Sequence, residues 1–124
     1  MLFFFSTSRI SSPRAAFELT YKGAIINPKI TLVGSSSNIT YGICALNATL
    51  GDNDSFTVST FYGKCRVEIT DASGNTTDAL NYVDLAYEPF PRIPVNEDCV
   101  LLMSADSDIG GRATVRVYYY YRSV

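Results

Sequence analysis

The chain has 124 residues, 47% hydrophobic and 18% charged, a balance that excludes a disordered tail. Ten Lys and Arg against twelve Asp and Glu give a net charge of −2, so no basic excess draws nucleic acid. Histidine is absent, which removes Ser-His-Asp and Cys-His catalysis and leaves a zinc site only thiols and carboxylates.

The length corresponds to one domain, able to bury about two-thirds of its unfolded surface without a metal or disulfide staple. Met1 to Phe5 is an apolar run of five residues. It has no preceding positive charge and is too short for a secretion signal, so the chain reads as having no signal peptide. No stretch approaches the roughly 20 apolar residues of a membrane-spanning helix. Residues 1–14 therefore read as a strand and connector that follow a domain outside this sequence, and 15–124 as the folded domain.

Ser11-Ser12-Pro13 interrupts the chain, and Ala16 to Lys22 then alternates Phe17, Leu19 and Tyr21 with Glu18, Thr20 and Lys22. A period of two places every second side chain on one face, which predicts a strand. Gly23 and Asn27-Pro28 bracket a bend. Ile30 and Leu32 alternate with Lys29, Thr31 and Val33 up to a loop at Gly34-Ser35-Ser36-Ser37. Ile39, Tyr41, Ile43 and Ala45 form the next alternating set, and Leu50-Gly51-Asp52-Asn53-Asp54 makes a turn.

Ser55 to Thr70 is the most regular stretch. Phe56, Val58 and Thr60 mark one face of its first arm, and Cys65, Val67 and Ile69 one face of its second, with Tyr62-Gly63 between. Two alternating arms joined by a short Gly-containing link predict a β-hairpin. An isolated hairpin is marginal in water, so its apolar face must cover another sheet. After a polar turn at Asp71 to Asn75, Thr76 to Tyr87 has no clear period and room for one helical turn. Pro89, Pro91 and Pro94 forbid a helix and suit an extended edge segment. Asp98 to Ser104 is apolar on both faces, as a central strand would be. Asp106 to Gly111 is a turn. Arg112 to Arg122 alternates Ala113, Val115, Val117, Tyr119 and Tyr121 with Thr114, Arg116, Tyr118, Tyr120 and Arg122. Eight or nine strands with turns every 8 to 12 residues predict an all-β fold, an antiparallel β-sandwich of jelly-roll or galectin-like type.

Cys44, Cys65 and Cys99 each fall in a strand-like run with no metal-ligand spacing, and read as buried thiols. Asp52, Asp54, Asp71, Asp84, Asp106 and Asp108 cluster in turns, where Asp serves the backbone. Asp52-Asn53-Asp54 and Asp106-Ser107-Asp108 could offer oxygens to calcium but lack the spacing and closing Glu of an EF-hand. Asn38, Asn47, Asn53 and Asn75 each begin an Asn-x-Ser/Thr triplet. Without a signal peptide these read as turn composition rather than glycosylation sites. In the last strand Arg116, Tyr118, Tyr120 and Arg122 share the face away from the core. Tyr and Arg are enriched at protein interfaces, so this face is the candidate contact surface.

Together these pieces resemble the C-terminal domain of siphophage distal tail proteins. Leu2-Phe3-Phe4-Phe5-Ser6 is similar to the exit from that family's N-terminal domain. Tyr21-Lys22-Gly23 with Asn27-Pro28-Lys29-Ile30-Thr31-Leu32-Val33-Gly34 is similar to its first Pro-containing strand. Leu50-Gly51-Asp52 with Phe56 to Thr60, Phe90 to Leu101, and the Tyr-rich end resemble later segments. Val95-Asn96-Glu97-Asp98 stands where that family has a Pro-Gly turn, and Thr60 follows Ser59 where it has Asp.

The resemblance implies a galectin-like sandwich that is not an enzyme and uses no cofactor or metal. It implies an adaptor in the tail tip or baseplate of a phage or prophage virion, made in the bacterial cytoplasm. Its partners would be other tail proteins, with no nucleic acid and no membrane insertion. Alone it would be monomeric or weakly associated, and hexameric only through a ring-forming domain that this chain lacks. One alternative is a carbohydrate-binding module for a host surface glycan, although galectin-type sites rely on His and Trp. Another is a capsid decoration jelly roll.

Overall fold

Alternating segments become strands throughout the computed structural model, which describes residues 2–6, 14–61, 65–84, 86, 90, 93–94 and 98–119. In chain order the strands are β1 (Leu2–Ser6), β2 (Arg14–Lys22), β3 (Ile25–Ile26), β4 (Lys29–Gly34), β5 (Thr40–Ala45) and β6 (Thr49–Leu50). They continue with β7 (Ser55–Ser59), β8 (Arg66–Thr70), β9 (Thr76–Asp78), β10 (Ile93–Pro94), β11 (Asp98–Ser104) and β12 (Arg112–Tyr119). A single 3-10 turn, Leu80–Tyr82, occupies the stretch that lacks a period. Among the described residues there are thus twelve strands rather than eight or nine. The additional ones, β3, β6, β9 and β10, span only two or three residues, too few to display an alternation.

Every strand pair among the described residues is antiparallel. The smaller main sheet runs β1-β11-β4-β5, and the larger runs β10-β2-β7-β8-β9 with β12 also on β2. Ala15 is registered with both Ile93 and Tyr119, and Glu18 with both Ser59 and Arg116. Because a strand has two edges, β7 and β10 share one edge of β2, and β12 takes the other. The strand at the start of the chain finds its partner within the chain, since Leu2–Ser6 pairs β11.

The inner faces of the two sheets enclose one core. Phe17, Leu19 and Tyr21 of β2, Phe56 and Val58 of β7 and Val67 of β8 face Ile30 and Leu32 of β4, Cys44 of β5, and Cys99, Leu101 and Met103 of β11. This is the expected antiparallel all-β sandwich. Burial of each such side chain stabilises it by about 1.5–3 kcal/mol. Tyr21 and Phe56 stack with centroids 5.6 Å apart. The chain passes between sheets after β2 and again after β5, and the β3–β6 pair ties these two crossings together. Ile25 faces Leu50 there, both buried. Asn27 adopts φ 49 at this bend, a left-handed conformation that Asn tolerates better than other non-glycine residues. Its side chain donates to Asp106 Oδ2 at 2.9 Å.

Two readings of the sequence are corrected. In β5 the core positions are Gly42 and Cys44, continued by Leu46, not Tyr41, Ile43 and Ala45; Ile39 is 52% exposed. The physical reason lies across the ladder, where Gly42 is registered with Leu32 and Cys44 with Ile30. Small residues beside large ones fill the inner layer, and the register shifts only past these pairs, between Leu32 and Val33. Cys65 is exposed, not buried, because β8 begins only at Arg66. In the hairpin, Phe56 pairs Ile69 and Val58 pairs Val67 as expected; the Tyr62-Gly63 turn lies outside the described residues. Strand β11 is central, between β1 and β4, but its second face is partly open, with Leu102 42% exposed.

Thr60 is fully buried and polar. Its amide donates to the Phe17 carbonyl at 2.9 Å, and its Oγ1 accepts the Phe17 amide at 3.0 Å. A hydroxyl here extends the β2–β7 ladder one step beyond the last regular pair. Thr60→Val keeps the shape but orphans the Phe17 amide, at a cost of about 1–3 kcal/mol. Urea unfolding of the variant measures this, and an unchanged midpoint would refute the role given to the hydroxyl.

Candidate functional site

The polar positions of β2, β7, β8 and β12 make the outer face of the larger sheet. The registers arrange them in rows across the strands. One row runs Arg116, Glu18, Ser59, Arg66; the next runs Thr114, Thr20, Thr57, Glu68, Asp78; a third runs Arg112, Lys22, Ser55, Thr70, Thr76. Directly opposed side chains on one face of an antiparallel pair lie close enough to interact. Thr20 and Thr57 accordingly share a hydroxyl hydrogen bond of 3.1 Å, and Thr70 and Thr76 one of 2.8 Å.

Arg66 reaches across β7 to Glu18, with Nη2 donating to Oε2 at 3.1 Å, while its Nε lies 3.6 Å from Glu68 Oε2. Ser59, which stands between Arg66 and Glu18 in the ladder, is only 1% exposed. The pair is partly solvated, so it contributes no more than about 1 kcal/mol. Its effect is to commit the Glu18 carboxylate. Arg112, Arg116 and Lys22 are all exposed, and none forms an ion pair with another described residue. The β12 side of the face thus carries three exposed cations, two of which, Lys22 and Arg112, share a cleft with Asp52 and Asp108.

Of the expected contact residues, Arg116 lies exposed on this face, in register with Glu18. Tyr118 belongs to β12 and is registered with Ala16. Tyr120 and Arg122, like Tyr121, lie outside the described residues. The core-facing positions Ala113, Val115 and Val117 pack against the core as the alternation predicts. Sequence reading did not single out Glu18, Thr20, Lys22, Arg66 or Arg112. Their signal was available in the polar positions of β2, β8 and β12, but which strands become neighbours is not written locally.

At one end of the face a cleft of about 1010 Å³ is lined by Lys22, Asp52, Asp108 and Arg112 among others. Its floor is set by a close backbone approach. The Gly111 amide donates to the buried Tyr21 hydroxyl at 2.8 Å, and a Cβ on Gly111 would stand 2.6 Å from Tyr21 Cζ. Gly23, at φ 139, abuts Gly111 from the other side, where an added Cβ would meet the Gly111 Cα at 2.8 Å. Neither position accepts a side chain.

Several turn carboxylates are engaged by backbone amides. Asp54 Oδ2 accepts from Gly51, Asp71 Oδ1 from Ser73 and Asn75, Asp78 Oδ1 from Leu80, and Asp84 Oδ1 from Ala86. Asn38 adopts φ 58 and Asn75 closes the Asp71 turn, so two of the Asn-x-Ser/Thr triplets meet backbone demands. Among the described residues no group of three or more His, Cys, Asp or Glu is placed to hold a metal ion. Burial pushes the Cys44 thiol up to about 12, so it stays protonated at neutral pH and is a poor nucleophile. No protein-family model, curated protein or solved structure matches this chain.

Gly111→Ala should destabilise the fold by about 1–3 kcal/mol through overpacking, seen as a lower urea midpoint; no loss would mean that both the Lys22 backbone carbonyl and the Tyr21 ring yield freely. Titration with an aromatic disulfide reagent separates the thiols. Cys65 should react in the native protein, and Cys44 and Cys99 only after unfolding. Rapid native reaction of more than one thiol per chain would contradict the burial described.

Proposed function

We propose that this chain is a non-enzymatic structural part of a phage or prophage tail tip, an adaptor that docks other tail or receptor-binding proteins. The observation that carries the contact reading is the set of exposed cations, outside any ion pair of the described residues, at the margin of the larger sheet. Arg112, Arg116 and Lys22 stand exposed beside a Thr and Ser ladder, while the nearby Glu18 is already engaged by Arg66. A surface of this kind suits a protein partner that presents carboxylates and carbonyls, and Arg is the cation best shaped for bidentate contact. The sequence alternation assigns Tyr118, Tyr120 and Arg122 the same parity as Arg116. The phage assignment rests on the sequence resemblance to distal tail proteins. The engagement of turn carboxylates by amides supports a binding role over a hydrolytic one.

The cleft beside Lys22, Asp52, Asp108 and Arg112 supports a second reading, a glycan-binding module, because paired acids and bases can divide the hydroxyls of a sugar between them. Immunogold labelling of particles released by the source cells separates the readings. The adaptor reading expects label at the tail tip, lost when Arg116→Glu protein replaces the native chain. Label on the capsid, or none on the particles, would overturn it. Saturable binding to a glycan panel that is abolished by Lys22→Ala would put the sugar reading in its place.

A further inference from the structure

Strand β12 is the outer strand of the larger sheet, and among the described residues no strand pairs with its far edge. Which backbone groups face that edge follows from the ladder. The Thr60 amide donates to the Phe17 carbonyl and the Gly23 amide to the Asp54 carbonyl, so the odd-numbered residues of β2 bond toward β7. In an antiparallel ladder successive residues bond to opposite sides. Glu18, Thr20 and Lys22 therefore bond to β12, through their partners Arg116, Thr114 and Arg112. The amides and carbonyls of Ala113, Val115 and Val117 are left pointing outward.

Natural edges are commonly blunted by proline, by a bulge or by a charge turned inward. Between Arg112 and Tyr119 there is no proline, the register with β2 is unbroken, and the inward positions are Ala113, Val115 and Val117. This edge is ready for another strand, and the strand itself is self-complementary. Antiparallel pairing about a twofold axis at Val115 sets Ala113 opposite Val117, Thr114 opposite Arg116 and Arg112 opposite Tyr118. Moving the axis to Arg116 sets two arginines face to face, and moving it to Thr114 sets Arg112 against Arg116. Like charges directly opposite each other destabilise a sheet, so one long register stands apart from its neighbours.

We infer that two copies of this chain associate through β12, antiparallel about Val115, joining their larger sheets into one continuous sheet. The inward row of Ala113, Val115 and Val117, half-buried in one copy, would be extended by the same row of the other. This inference is independent of the phage reading.

Sedimentation velocity should show a concentration-dependent dimer between about 1 µM and 1 mM, the span of a weak interface. Val115→Pro removes an outward amide and no bond within the sheet, which an edge strand tolerates; the variant should keep its circular dichroism and become monomeric. Cysteine scanning in a Cys65→Ser background tests the register even where the proline variant does not fold. Val115→Cys should cross-link on mild oxidation, since the two Cα atoms would lie about 5.5 Å apart, within disulfide range. Val117→Cys should not, because its mate would lie about 13 Å along the strand. Wild-type protein that stays monomeric throughout, a folded proline variant that still dimerises, or equal cross-linking of the two cysteine variants would overturn the proposal.

Discussion

Parity along one strand governs this molecule. In β2 the odd positions carry Phe17, Leu19 and Tyr21 into the core, and the even positions carry Glu18, Thr20 and Lys22 to the outer face. The same parity decides which neighbour each backbone group bonds. The hydrophobic requirement on three side chains therefore fixes more than the core. It fixes the polar rows that cross the sheet, the partners of β7 and β12, and the groups that β12 turns outward. A one-residue slip would invert all of these together, so the buried row holds the polar outer face in place.

Much of this was legible in the sequence. The strands of β2, β4, β7, β8 and β12 show strict alternation, and each forms close to where the pattern places it. β5 was misread because it is apolar at both parities. Size decided its phase, with Gly42 beside Leu32 and Cys44 beside Ile30, and that information resides in β4. Cys65 was misread because alternation continued past the point where β8 stops pairing. The β3–β6 contact is two residues per strand and depends on two chain crossings meeting in space, which no local pattern encodes. The cleft residues share that difficulty. Lys22 and Asp52 lie in one half of the chain, Asp108 and Arg112 in the other.

The two broad outer faces differ in chemistry. On the larger sheet, threonine and serine hydroxyls bond across strands and leave cations at the β12 margin. On the smaller sheet the corresponding positions include Val33, Ile43 and Val100, which are half-buried, and Leu102, which is exposed. The asymmetry explains why β11 looks like a strand buried on both sides when read alone. It also means that charge on this sandwich is organised by strand neighbours, not by position along the chain.

The pairing of β2 with β12 has a consequence for how the protein is made. Tyr21 and Gly111, which bond where the two strands meet the turn, are 90 residues apart. At about 5–20 residues per second of synthesis, β2 waits on the order of 5–20 seconds for its last neighbour. Until then the amides and carbonyls of Glu18, Thr20 and Lys22 form an open edge on the nascent chain. The larger sheet cannot close while the ribosome still holds residues 112–119, so the sandwich completes itself only once that strand has emerged. Crowded polysomes would then bring open β2 edges together, and the interval before β12 arrives is when mispairing between nascent chains competes with folding.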